Sequence, residues 1–175
     1  MIALDIHSRN AITEVLDAVI RTSDHETNVL VSRLYAEHIH NLYNYGMNAC
    51  DDQALVKNCI VKLFLLIGGR SDLLREGVSV DSSLVKMFRR LLMQEIVTSR
   101  RSIENLFSFE TQMTQGLTSL QREALFLKFQ RRLSYREVAN VMDITIEQLR
   151  SQISKAVDVL LHRNKQTLTG LRYEK

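Results

Sequence analysis

No proline interrupts the 175 residues, and only six glycines are spread among them. Proline removes a helix hydrogen bond and glycine raises the entropic cost of ordering the backbone. Their scarcity leaves long helices unopposed and deprives strands of their usual bounding turns. Leu, Ile, Val and Met recur at spacings of three and four, the period of one helix face. The expected class is all-α.

Helical periodicity runs from Ile12 to Ile20, Val29 to Ala49, Ala54 to Ile67 and Leu84 to about Arg101, which predicts an N-terminal helical bundle. Ser23 and Glu26 have the spacing of a capping box, and Asp51 and Asp52 stand before the third helix. Gly68 and Gly69 end that helix, and the mixed Gly, Ser and charged stretch after them predicts a loop carrying Arg70 and Arg75. Residues 102–116 have no sustained period and close on Gly116, so they are expected to link two domains, 1–101 and 117–175. Phe107 and Phe109 in this linker are candidates for docking on a partner.

Charge is unevenly placed. The net formal charge is −3 over residues 1–69, +1 over 70–117 and +5 over 118–175. A basic C-terminal end suits a polyanion such as DNA, and the acidic N-terminal end suits a different partner.

Three capping boxes follow one another near the C-terminus: Thr118 with Gln121, Ser134 with Glu137, and Thr145 with Gln148. They predict helices from about Ser119 to Arg132, Tyr135 to Met142 and Ile146 to His162, the last two joined by a tight turn. That is the layout of a DNA-binding helix-turn-helix. Along the last helix, Ile146, Leu149, Ile153, Ala156, Val157 and Leu160 form one apolar stripe. Glu147, Gln148, Arg150, Ser151, Ser154 and Lys155 lie opposite. Arg is suited to guanine and Gln to adenine, while Lys and Ser suit phosphate oxygens.

The string LTSLQREALFLKFQRRLSYREVANVMDITIEQLRSQISKAV resembles the C-terminal domain of extracytoplasmic-function sigma factors of the sigma-70 family. RLYAEHIHNLYNYGMNACDDQALVKNCIVKLFLLI is similar to that family's N-terminal conserved domain, especially in Bacteroidetes members. The resemblance implies a sigma region 2-like domain over 1–101, a sigma region 4-like domain over 117–175, and a role in transcription initiation. It implies that Arg136, Gln148, Arg150, Ser151, Ser154 and Lys155 contact a −35 promoter element. Leu55, Val56, Asn58, Cys59, Lys62 and Phe64 would dock on the β′ coiled coil of core RNA polymerase, and the C-terminal domain would meet the β flap. Arg70, Lys86, Arg89, Arg90, Arg100 and Arg101 would face the −10 region.

The chain also departs from the family pattern. Asn58, Val61 and Lys62 stand where acidic residues and Gln are usual, Thr118 where Pro is usual, and Asp143 where Gly is frequent; Gln152 occupies a frequently basic position. These differences and the short linker leave a second reading open, a sigma-like adaptor recruited by a separate, for instance RNA-guided, DNA-targeting protein. A degenerate homologue acting as a regulatory binding protein is a third. An anti-sigma factor is a further candidate partner.

Enzymatic chemistry finds no support in the sequence. There is no HExxH pair, His38 and His40 are two apart and so on different faces of a helix, and no phosphate-cradling glycine loop or nucleophile elbow occurs. No metal or other cofactor is expected. Cys50 and Cys59 lack ligand or disulfide spacing and read as small buried hydrophobes in a reducing compartment. The early acidic residues and the lack of any 18-residue apolar run predict a cytoplasmic protein with no membrane insertion.

Overall fold

The computed structural model describes residues 25–70, 79–98 and 114–170, the last stretch with side chains as far as 163. The helix expected over Ile12–Ile20, the Ser23 cap, Arg75, Arg100, Arg101, Phe107 and Phe109 lie outside the described residues. Among the described residues all regular structure is helical. The chain divides into two compact units between Ile103 and Glu104.

The first unit contains α1 (His25–Ala49), α2 (Gln53–Gly69) and α3 (Val80–Thr98), each packed against the other two. Asp52 is the N-cap of α2, its carboxylate accepting the Leu55 N–H at 2.9 Å. That satisfies one of the donors a helix start leaves without a partner. Ser79 does the same for α3, its Oγ accepting the Ser82 N–H at 3.4 Å. The glycine pair ends α2 later than the periodicity predicts, with Gly69 inside the helix and the Arg70 N–H donating to Ile67 O at 3.2 Å.

Its core is built from Leu34, Leu42, Tyr45, Ile60, Leu63, Phe64, Ile67, Leu84, Phe88 and Leu92. Burying each such side chain contributes on the order of 1.5–3 kcal/mol before entropy is counted. Edge-to-face contacts join Tyr35 to Phe64 (5.3 Å between centroids) and Tyr45 to Phe88 (6.1 Å) across helices. Gly46 sets how close α1 comes to its neighbours. A Cβ there would lie 2.6 Å from Val56 Cγ1 and 3.2 Å from Phe88 Cε1.

The described part of the second unit opens with a turn at Thr114–Gly116, where Gly116 takes φ 82° and Arg163 donates to both the Gln115 carbonyl and its Oε1 at 2.8 Å. Helix α4 (Ser119–Leu125) follows and widens into a π-helical segment, Phe126–Gln130. The sequence predicted an unbroken helix to Arg132. Instead, the Arg131 N–H reaches back five residues to Phe126 O, and Arg132 turns left-handed. Helix α5 (Tyr135–Met142) and helix α6 (Ile146–Gly170) complete the unit, α6 running further than the periodicity alone indicated. Leu127, Val138, Val141, Leu149 and Ala156 form its centre.

Candidate nucleic-acid interface

All three C-terminal capping boxes form with both of their hydrogen bonds. Thr118 and Gln121 exchange bonds of 2.9 and 3.2 Å, Ser134 and Glu137 of 2.8 and 3.2 Å, and Thr145 and Gln148 of 2.8 and 3.1 Å. These fix where α4, α5 and α6 begin. Between α5 and α6 the chain turns in three residues. Asp143 occupies the left-handed region at φ 54°, and the N–H groups of Asp143 and Ile144 both donate to Ala139 O. With Val141, Met142 and Leu149 buried on either side, the turn presents α6 as the second helix of a helix-turn-helix.

Burial of Leu149, Ile153 and Ala156 forces the other side of α6 outward. Gln148, Arg150, Ser151, Ser154 and Lys155 are exposed on it, and Arg136 is exposed on α5. Val157, expected in the apolar stripe, is instead exposed.

Gln148 has a second task, the one its capping-box spacing predicts, beside the DNA contact the resemblance implies. Its Oε1 accepts the Thr145 N–H, whereas bidentate recognition of adenine requires both the oxygen and the amide nitrogen. Glu147 adds a negative charge to the same turn. A hydrogen bond from its own backbone N–H, one from the Thr145 side chain and the nearby Arg150 guanidinium hold its carboxyl below the usual carboxylate range.

Two residues that spacing did not single out shape this face. Tyr135 opens α5, and its ring has Lys128 Nζ 4.9 Å and Arg150 Cζ 5.8 Å from the centroid. Lys128 Nζ also donates to Leu133 O at 3.0 Å. Tyr135 and Arg150 are fifteen positions apart on different helices, so no periodicity could have connected them.

In the first unit, the expected polymerase-docking set separates into two faces. Val56, Cys59 and Phe64 belong to the bundle core, on the stripe that continues through Ile60, Leu63 and Ile67. They cannot touch a partner directly, because the resemblance identified a segment and not a face. Asn58 is exposed, Leu55 and Lys62 are half-buried, and Lys62 pairs with Glu95 of α3. The outward face of α2 also carries Leu65 and Leu66, both exposed, which resemblance and spacing leave unmarked. Burial pushes the Cys59 thiol up to about 12, with Glu95 adding to the shift.

Of the residues expected at a −10 region, Arg70 and Arg90 are exposed, and Lys86 and Arg89 are half-buried on α3. Lys86 and Arg90 lie one helical turn apart. No group of three or more His, Cys, Asp or Glu residues arranged to hold a metal occurs among the described residues. No helix among them is long and apolar enough to cross a membrane.

No family model and no curated protein sequence matches the chain. Among solved structures, the sigma factor RpoE in complex with the anti-sigma factor NepR from Bartonella quintana matches with TM-score 0.61 at 14% identity, covering 77% of this chain and 96% of that one. The chain shares the fold of that structure. The RsbN–BldN complex also matches at 19% identity, over 86% of this chain and 97% of that one, with a TM-score of only 0.35.

Proposed function

We propose that the chain is a sigma factor of the extracytoplasmic-function type, which joins core RNA polymerase in the cytoplasm and directs it to promoter DNA. The observation that carries this reading is the exposed face of α6, bearing Arg150, Ser151, Ser154 and Lys155 behind a three-residue turn, in a chain that shares its fold with RpoE. The C-terminal unit binds the −35 element through α6, with Arg136 on α5 beside it. The N-terminal unit binds the polymerase and the −10 strand. Leu55, Asn58, Lys62, Leu65 and Leu66 offer the polymerase a docking surface on α2, and Arg70, Lys86, Arg89 and Arg90 offer cations to the melted strand. The protein acts by binding and leaves catalysis to the polymerase. Since RpoE is seen with an anti-sigma factor, a partner of that kind is proposed for this chain too.

Gel filtration of the purified chain with core polymerase tests the proposal. Co-elution is expected, and Leu65→Glu with Leu66→Glu should abolish it while leaving the helical signal intact. A chain that never joins the core contradicts the reading.

A further inference from the structure

Two residues other than glycine adopt positive φ among the described residues, Asp143 at 54° and Arg132 at 56°. They are not equivalent. A short polar side chain such as Asp can hydrogen-bond locally and visits the left-handed region readily, whereas Arg has no such compensation and meets the steric penalty of its Cβ. Glycine would make the same turn without strain.

The strain is held in place from both sides. Before Arg132, the Arg131 N–H is bonded to Phe126 O at 3.1 Å; after it, the Leu133 N–H is bonded to Leu127 O at 3.2 Å. Lys128 Nζ grips the Leu133 carbonyl, the Leu133 side chain is buried, and Ser134 is fixed as the N-cap of α5. A sparsely populated backbone conformation persists only where its surroundings determine it this fully, and such positions gather at functional sites. The Arg132 side chain is exposed, and among the described residues no hydrogen bond or ion pair engages its guanidinium.

Three residues further on, Tyr135 lies beside Arg150 of the exposed α6 face, and Arg136 is exposed next to it. The strained loop thus adjoins the face already assigned to DNA. We propose that Arg132 is a DNA-phosphate contact, a cation projected from the loop between the π-helical segment and α5 to extend the interface beyond the helix-turn-helix. This rests on the DNA-binding reading of α6. A phosphate contact is independent of base sequence, so its consequences are measurable on any duplex.

The test compares Arg132→Gly, Arg132→Lys and Arg150→Ala in the full chain. Melting temperature is recorded, together with the salt dependence of binding to a long random-sequence duplex. Arg132→Gly should raise the melting temperature by several degrees, weaken binding several-fold and reduce the slope of log K against log salt by about one. Arg132→Lys should keep the slope without the gain in stability. Asp143→Gly, which also relieves a left-handed residue, should leave the slope unchanged. If Arg132→Gly stabilises the chain and leaves the salt slope intact, or if it destabilises the chain, the proposal is overturned. Should Arg150→Ala weaken binding while Arg132→Gly does not, the DNA reading stands and only the role of Arg132 falls. If the unmodified chain binds no duplex even at low salt, both fall together.

Discussion

Two buried positions of the first unit make opposite demands on their side chains. At Gly46 there is no room: the Val56 methyl groups lie 2.6 and 3.0 Å from where a Cβ would sit. Gly46→Ala should therefore destabilise the chain by about 1–3 kcal/mol despite alanine's better helix propensity, because overpacking outweighs the backbone gain. The urea midpoint measures this, and Val56→Ala in the same chain should recover part of the loss. At Cys59 the demand is for a neutral group. Unfolding returns the thiol to its usual value of 9.0, while in the folded chain it stays protonated to about 12. The unfolded state thus binds fewer protons over that interval, and stability from this group, complete below pH 9.0, falls as the pH rises towards about 12. Other groups titrate in the same range, so the informative quantity is a difference. Cys59→Ala should lose stability at neutral pH and show a shallower alkaline decline than the unmodified chain.

At the level of helices, most of what forms was readable in the sequence. The reason is local: the capping boxes at Thr118, Ser134 and Thr145 are complete within four residues each, and the α2 stripe repeats at helical spacing. The π-helical segment after Leu125 was not readable, since LFLKFQRR continues the apolar period. The candidate interface was legible only in part, and for a related reason. Periodicity separates the inner from the outer side of a single helix, which located Arg150, Ser151, Ser154 and Lys155. The Thr145 capping box already commits the Gln148 oxygen to the backbone, but periodicity could not foresee that Tyr135 meets Arg150. Val56, Cys59 and Phe64 face the bundle core, because resemblance to a family marks a segment and not which side of its helix is outward. The dual position of Gln148 gives a prediction for α6 itself. Gln148→Ala should lower the stability of the C-terminal unit by about 0.3–1.5 kcal/mol without any DNA present, because the reciprocal cap is lost. Thermal melting of the full chain reports it, and an unchanged transition would mean that the cap adds nothing.

For the whole molecule, the two units present chemically different surfaces. One unit offers a partly apolar helix face on α2 and the cations of α3, and the other offers a basic helix-turn-helix. Each surface alone is a common protein feature. Their presence in one chain with a sigma-factor fold is what motivates a joint role at a promoter. The shift from a negatively charged N-terminal third to a positively charged C-terminal third agrees with such a division. The most direct measurement is in vitro transcription with purified core polymerase on a library of linear templates, with transcript starts mapped in the presence and absence of the chain. Chain-dependent starts sharing upstream sequence elements, lost with Arg150→Ala, are the predicted result. Transcription that is identical with and without the chain would contradict the account.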